Sequence, residues 1–148
     1  MRALLQRTTR AQVLVDGDVV GAIGAGLVIL LGVGPDDGTA TAVDLARKAA
    51  ELRIFRDDEG RTNRSLIDIR GAALVVSQFT LYADTRRGRR PGFTDGAAPE
   101  LAEALYLGFV EALRGLGVTV ATGRFGTEMA VELVNDGPFT VWLDTADR

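Results

Sequence analysis

The 148-residue sequence contains no cysteine and no histidine. These absences exclude a disulfide, a Ser-His-Asp triad, a Cys-His pair and a zinc or iron site with histidine ligands. Any catalysis by this chain has to use hydroxyl groups, carboxylates, arginine, backbone groups or the substrate itself. Without cysteine, nothing in the sequence argues for an oxidising compartment.

Lysine is almost as scarce, because Lys48 is the only one. Arginine therefore carries nearly all the positive charge, and its planar guanidinium suits contacts with phosphates and carboxylates. The alternative explanation for this excess of arginine over lysine is the base composition of the genome. The formal net charge of -3 indicates no particular partner.

Long hydrophobic runs are missing as well. The apolar run at residues 26–33 is far too short to cross a bilayer, and the first residues lack the charged-then-apolar pattern of a signal peptide. A fold of this length buries roughly two-thirds of the surface that its unfolded chain exposes. We therefore expect one cytoplasmic domain over residues 1–148, with no membrane partner.

The hydrophobic periodicity predicts a mixed α/β domain of the α+β type. Apolar residues recur at helical spacing from Thr39 to about Phe55 and again from Pro99, a residue favoured at the first helical position. Alternating and β-branched runs predict the strands, with a hairpin turn at Asp16-Gly17. We expect a mainly antiparallel sheet with the two main helices packed on one side.

Four further segments complete this prediction. Residues 56–65 are polar and predict a loop, whereas residues 72–83 predict a buried strand or a pair of strands. The runs "MAVELV" and "FTVWLD" predict two final strands, joined by residues 135–138.

The segment "VSQFTLYAD" places three polar residues in an otherwise apolar run: Ser77, Gln78 and Thr80. An unpaired buried polar group costs about 1–3 kcal/mol, so these side chains have to be paired or face a cavity. The simpler alternative is a strand with one wet face, or a β-bulge. No histidine or lysine lies nearby in the sequence to deprotonate a hydroxyl nucleophile.

The segment "TRRGRRPG" has no apolar periodicity and predicts a surface loop. It holds four arginines: Arg86, Arg87, Arg89 and Arg90. Guanidinium groups this close together repel one another unless anions are near, and RNA phosphates are anions that reward such a cluster. The alternative is a solvated charge run balanced by Asp84 and Asp95.

The stretch "NDGP" at residues 135–138 is typical of a tight turn. Its proline withholds an N–H group from any strand ladder. Because only about 5–6% of X-Pro bonds in folded proteins are cis, the local sequence favours an ordinary turn with a trans bond.

Taken together, "SQFTLYAD" at residues 77–84 and "NDGPFT" at residues 135–140 resemble the D-aminoacyl-tRNA deacylase family. The resemblance extends along the chain through "MRALLQR", "LRIF", "GRRPGFTD", "TGRFGTEM" and "VWLD". It implies hydrolysis of the ester between a D-amino acid and the 3′-terminal ribose of tRNA, and removal of glycine from mischarged tRNA. It also implies a homodimer without a metal or another cofactor, whose partner is RNA and not DNA.

The resemblance assigns a role to each matching residue. Gly137-Pro138 matches a Gly-cisPro element that reaches from one subunit into the active site of the other, where its carbonyls hold the substrate's α-amino group and exclude an L side chain. Arg7 braces that element, and Phe139 follows it where many members have valine. The scissile ester is lined by Ser77, Gln78, Phe79 and Thr80, and the terminal adenine by Phe125 and Met129.

The residue inventory bears on the mechanism that the resemblance implies. An ester hydrolase without histidine or cysteine needs another activator for its nucleophile, and the family is thought to use the tRNA's own 2′-hydroxyl. Backbone N–H groups near Gln78 and Phe79 can stabilise the developing oxyanion. We therefore expect Thr80 to line the site without being an obligatory nucleophile.

Two other functions stay open at this point. One is a non-catalytic RNA-binding module that uses the arginine loop, residues 86–90, and cleaves no ester. The other is a structural dimer subunit with an ordinary hairpin at residues 135–138 and a trans peptide in solvent.

Overall fold

The computed structural model describes residues 1–147 and places two helices on one face of a six-stranded sheet. The strands of this sheet are β1 (Arg2–Val15), β2 (Asp18–Ile23), β3 (Gly26–Gly32), β6 (Ala72–Ser77), β7 (Thr119–Thr122) and β8 (Ala130–Asp144). The helices are α1 (Thr39–Glu51) and α2 (Pro99–Gly115). A separate hairpin consists of β4 (Phe55–Arg56) and β5 (Thr62–Arg64), and a 3-10 turn spans Phe79–Tyr82. No helix within the described residues is long and apolar enough to cross a membrane.

Strand β1 organises the sheet, because it pairs with three other strands. Its first half pairs with β3 and its second half with β2, while β8 runs along its other edge. These three pairings are antiparallel, whereas β3–β6 and β6–β7 are parallel. The α+β class with a mainly antiparallel sheet is therefore confirmed.

The core lies between the sheet and the two helices. The buried positions repeat at helical spacing: Ala42, Leu45 and Ala49 on α1, and Leu105, Phe109 and Leu113 on α2. Phe109 and Leu113 are 0% exposed, and burying a side chain of this size contributes about 1.5–3 kcal/mol. Both helices were predicted from this spacing, and the start of α2 at Pro99 is confirmed.

The predicted hairpin between β1 and β2 is also confirmed. Asp16 and Gly17 connect the two strands with φ angles of 50° and 83°. Two consecutive positive φ angles are what a two-residue hairpin turn of type I′ requires. The local sequence was sufficient here because the turn is set by these two residues.

Helix α1 ends at Glu51 and not near Phe55, so the predicted helix is too long. Leu52 leaves the helical region with a ψ angle of 127°, Ile54 is buried, and strand β4 begins at the buried Phe55. β-branched and aromatic side chains favour this conformation when they pack on a core. The prediction of a plain loop at residues 56–65 is also wrong, because β5 returns to pair with β4.

Residues 72–83 form one strand followed by a 3-10 turn, where a strand or strand pair was expected. The Gln78 N–H donates to the Leu31 carbonyl at 2.8 Å, which ends the pairing of β6 with β3. The next bond is local, since the Leu81 N–H donates to the Gln78 carbonyl at 3.2 Å. The polar residues of "SQFT" therefore lie where the sheet ends.

The two predicted final strands are a single strand, β8. Residues 135–138 do not reverse the chain, so the tight turn predicted there between two strands is wrong. Both halves of β8 pair with β1, with an irregularity in the register between them. The residues typical of a turn build this irregularity instead.

Candidate active site

Strand β8 makes a bulge at the sequence "DGPF". Residues 136–139 of β8 face the single β1 residue Arg7, because the register advances by two positions on β1 and by five on β8. Such an insertion leaves the extra residues unpaired and bends the strand. Gly137 and Pro138, in the middle of the bulge, are exposed, and the peptide bond between them is cis.

The side chain of Arg7 is buried next to this bulge, at 3% exposure. Its Nε donates to the Asp136 carbonyl at 3.0 Å, and its Nη1 donates to the Ile54 carbonyl at 2.8 Å. The Asp136 carboxylate lies 3.2 Å from Nε, and the centre of the Phe139 ring lies 4.7 Å from the guanidinium carbon. A buried cation is tolerated when it is paired in this way. Arg7 thus contacts the residues on both sides of Gly137-Pro138.

Asn135 closes the bulge. Its Nδ2 donates to the Arg7 carbonyl at 2.9 Å and to the Phe139 carbonyl at 3.0 Å, which satisfies backbone groups that the interrupted ladder leaves unpaired. Position 137 in the bulge requires glycine. Its φ is +136°, and a Cβ there would lie 2.9 Å from the Phe139 backbone nitrogen. The bulge therefore leaves no room for a side chain at position 137.

A cavity of about 680 Å³ opens at the carboxyl ends of the parallel strands β3 and β6, beside the start of α2. Ligands of sheets with parallel strands commonly bind at this end. The lining includes Ser77, Gln78, Phe79, Phe93, Ala102, Phe125 and Met129. The structure thus brings together all the residues predicted to surround the ester and the adenine except Thr80. Thr80 lies beside the lining, where its Oγ1 accepts a hydrogen bond from Gln78 Nε2 at 2.5 Å.

The start of the 3-10 turn presents two backbone N–H groups without helical acceptors. The first hydrogen bond of the turn is donated by Leu81, so the N–H groups of Phe79 and Thr80 precede the hydrogen-bonded ladder. The Gln78 N–H was also expected to be available, but it is bound to the Leu31 carbonyl. The donors available to an oxyanion are therefore those of Phe79 and Thr80.

One wall of the cavity consists of Phe125 and Met129. The Phe125 ring packs on Tyr106, with ring centres 5.9 Å apart. The Met129 sulfur accepts the Arg124 N–H at 3.3 Å, and Gly123 makes room for it, because a Cβ on Gly123 would lie 2.5 Å from that sulfur. Aromatic and thioether surface suits a flat, apolar-faced ligand group.

Two tyrosines near the site stay protonated at neutral pH. The Tyr106 hydroxyl donates to the Val75 carbonyl at 2.9 Å, and burial raises its pKa to about 12. Burial, with the nearby charge of Asp37, also raises the pKa of Tyr82 to about 12. A hydroxyl group with such a pKa is not deprotonated at neutral pH and is therefore a poor general base.

Within residues 1–147, no cluster of three or more acidic side chains could hold a metal ion.

The arginine loop is anchored at its base. Arg86 donates from Nε and Nη2 to the Asp84 carboxylate at 2.7 and 2.8 Å, and these bonds hold the pKa of Asp84 at about 2. Asp84 in turn exchanges two backbone hydrogen bonds with Gly92, at 2.8 and 2.9 Å. The other three arginines of the loop are exposed and form no ion pair with any described residue: Arg87, Arg89 and Arg90. The expected balance by Asp84 and Asp95 thus applies to Arg86 only.

The two parts of the predicted site do not meet within one chain. Arg7, Gly137 and Pro138 lie outside the lining of the cavity. Sequence reasoning also missed Phe93, whose ring packs edge to face on Phe79 with centres 5.2 Å apart. The sequence signal that could have indicated Phe93 is its position as an aromatic residue directly after an arginine-rich polar loop.

Comparison with known proteins gives a consistent picture over the whole chain. The family model described as "D-Tyr-tRNA(Tyr) deacylase" matches residues 4–144. A protein of Roseiflexus castenholzii named D-aminoacyl-tRNA deacylase is 63% identical over 146 residues, which cover 99% of this chain and 93% of the relative. One of Paracoccus denitrificans with the same name is 58% identical, covering 100% of this chain and 99% of the relative. The solved structure of "c-Myc DNA Unwinding Element Binding Protein" has a TM-score of 0.92 and 38% identity, covering 98% of this chain and 99% of that one.

Replacing Arg7 tests whether it holds the bulge. Arg7→Ala leaves the Ile54 and Asp136 carbonyls without their donor and is expected to lower the free energy of unfolding by about 3–5 kcal/mol, measured by urea denaturation. Arg10→Ala, on the exposed part of the same strand, is the matched control and is expected to stay within about 0.5 kcal/mol. A loss below about 1 kcal/mol for Arg7→Ala would contradict the bracing contact.

Proposed function

The chain belongs to the D-Tyr-tRNA(Tyr) deacylase family, and on this premise we propose that it hydrolyses the ester between a D-amino acid and the 3′-terminal ribose of tRNA. The family match confirms the resemblance found in the two sequence motifs. The observation that carries the proposal is the convergence of "SQF" and of Phe125 and Met129 on one cavity. Relatives named as deacylases favour this function over the non-catalytic RNA module and the structural subunit.

The cavity is proposed to hold the terminal adenosine with its ester. Its volume of about 680 Å³ lies within the range of roughly 300–1,000 Å³ that small-molecule sites occupy. Phe125 and Met129 offer the adenine a flat apolar wall. The ester would then lie towards Ser77 and Gln78, at the end of β6.

The chemistry is proposed to rely on the substrate and the main chain. The N–H groups of Phe79 and Thr80 are fixed by the 3-10 turn, so they can bind the developing oxyanion without reorganising. The 2′-hydroxyl next to the ester supplies the activation that a histidine or cysteine would otherwise provide. Gln78 holds the Thr80 hydroxyl as an acceptor, which suits a lining role better than that of a nucleophile.

Rejection of L-amino acids is proposed to fall to the bulge of β8, supplied by a second subunit. Gly137 and Pro138 are exposed and outside the β1–β8 register, so their carbonyls are available to an ammonium group. They are not part of the cavity lining of their own chain, which agrees with a site completed across a dimer. A main-chain cage discriminates by the direction of the side chain and tolerates many D side chains. Glycine has no side chain to clash, so glycyl-tRNA is included among the substrates.

An apolar surface for a homodimer exists on the sheet. Trp142 is 45% exposed and pairs across the strands with Leu4, which also pairs with Leu30. These neighbours lie on the same face, and a contiguous apolar patch on a sheet favours association. We therefore propose a homodimer that uses this face.

The exposed arginines of the arginine loop are proposed to bind tRNA phosphates. Arg87, Arg89 and Arg90 form no ion pair within the described chain, and the bridge between Asp84 and Gly92 fixes the base of their loop. Phosphate contacts of this kind position the substrate without reading its sequence. The reaction is a proofreading step of translation, which takes place in the cytoplasm.

Chirality is the first test of this function. Purified protein is expected to release D-tyrosine from D-Tyr-tRNA at least about 100-fold faster than L-tyrosine from L-Tyr-tRNA, because a steric clash easily exceeds about 2.7 kcal/mol. Glycine release from Gly-tRNA is expected as well. Ala102→Trp fills the cavity and serves as the inactive control. Equal hydrolysis of the two enantiomers, or of neither, would refute the proposal.

The source of nucleophile activation is tested with two single changes. Thr80→Val removes the hydroxyl but keeps the N–H, and is expected to lower kcat/KM less than about tenfold, as for one neutral hydrogen bond. A D-Tyr-tRNA ending in 2′-deoxyadenosine is expected to lose at least about 100-fold with the unaltered enzyme. The opposite ranking of the two effects would make Thr80 the nucleophile.

Heterodimers test whether the site is shared between subunits. Gly137→Ala and Ala102→Trp, placed on different chains and co-purified through two tags, leave one intact shared site and are expected to give about half of the wild-type activity. With both changes on one chain and none on the other, every shared site carries one lesion and no activity is expected. Activity in the second arrangement and not in the first would place the whole site within one chain.

A further inference from the structure

Phe79 and Phe93 form an exposed aromatic pair at the mouth of the cavity. Their side chains are 62% and 47% exposed, and their rings meet edge to face at 68° with centres 5.2 Å apart. Both residues belong to the cavity lining. An edge-to-face contact covers one face of one ring, so aromatic surface is left open to solvent. Two adjoining aromatic residues kept this exposed at a cavity mouth are typical of a binding surface.

Phe93 is held in place by the anchored loop before it. It follows Gly92 directly, and Gly92 is fixed by two backbone hydrogen bonds to Asp84. Phe79 is fixed from the other side, as the first residue of the 3-10 turn. The pair is therefore presented by two rigid segments and not by a free loop tip.

Positive charge lies beside the pair. The arginine loop ends three residues before Phe93, and its three exposed arginines form no ion pair within residues 1–147. Aromatic platforms next to cationic side chains are the usual means of binding single-stranded nucleic acid, because bases stack on the rings while phosphates meet the charges. An acidic or neutral peptide would gain less from this combination, since it has few flat rings to stack.

We propose that Phe79 and Phe93 form a stacking site for the base on the 5′ side of the terminal adenosine, with Arg87, Arg89 and Arg90 binding the phosphates of the unpaired 3′ end. This inference rests on the proposed function, which puts the last nucleoside in the cavity. The strand then leaves through the mouth, where its next base meets the two rings. The occupant is thus the tRNA's own single-stranded end.

Kinetics with minimal substrates tests the stacking contact. The substrates are D-tyrosyl-CpA and the same dinucleotide with an abasic ribose in place of cytidine, so that they differ in one base. The wild type is expected to prefer the complete dinucleotide by about tenfold in kcat/KM, as for one base stacked on an aromatic side chain. Phe93→Ala is expected to reduce this preference to about one, and Phe93→Trp to restore it. Leu107→Ala, an equally exposed apolar residue on α2, is the control that keeps the preference.

A binding assay decides the inference independently of hydrolysis. An unacylated CCA trinucleotide with 2-aminopurine as its penultimate base is expected to lose fluorescence on saturation with wild-type protein, because stacking quenches this base. Phe93→Ala is expected to abolish the quenching. Arg89→Ala is expected to weaken binding and its salt dependence while leaving the quenching at saturation.

The outcomes separate this inference from the function on which it rests. If the wild type cleaves neither D-Tyr-tRNA nor the dinucleotides, the proposed function fails, and the fluorescence assay alone then supports or overturns the stacking site. An unchanged preference together with unchanged quenching in Phe93→Ala overturns it. A shift of Phe93→Ala to a smaller species in sedimentation also overturns it, because the pair would then belong to a contact between subunits.

Discussion

The buried guanidinium of Arg7 is the contact around which the functional surface is arranged. A cation removed from water needs partners, and Arg7 finds them at the Ile54 carbonyl after α1 and at Asp136 in the bulge of β8. Asn135 returns a hydrogen bond to the Arg7 carbonyl, so the bulge and β1 hold each other. The position of Gly137-Pro138 is therefore set by the strand that organises the sheet.

The proposed site divides recognition between two kinds of main-chain group. The 3-10 turn after β6 offers N–H donors, at Phe79 and Thr80, where negative charge would develop. The bulge of β8 offers carbonyl acceptors, where a positive ammonium would lie. Both the 3-10 turn and the bulge lie where the regular backbone hydrogen bonding stops. Within a paired strand or a helix, the N–H and C=O groups are already bound to each other and are not available to a ligand. A chain without histidine or cysteine can thus build a polar site by interrupting its secondary structure at two places.

Much of the fold could be predicted from the sequence, because its signals are local. Helical spacing marked both helices, and Asp16-Gly17 marked the hairpin of β1 and β2. The bulge was missed because it is defined by the register of β8 against β1, more than 120 residues away, and "NDGP" taken alone is typical of a turn. The residues of the cavity were predicted by resemblance from "SQFTLYAD" and "TGRFGTEM", but their meeting depends on the parallel crossover from β6 through α2 to β7. Phe93 was missed because its place in the site depends on its packing against Phe79, a tertiary contact that the local sequence does not indicate.

The exposure of the bulge gives a physical reason for a second subunit in the proposed mechanism. Carbonyls in solvent bind water, and in a high dielectric they distinguish an ammonium group from water only weakly. The same carbonyls become selective when water is excluded, since an ammonium group left unpaired there costs its full desolvation energy. The cavity lining, for its part, does not include Gly137 or Pro138 of its own chain. One contact between two copies would solve both problems, because it would dehydrate the bulge of one subunit while completing the cavity of the other.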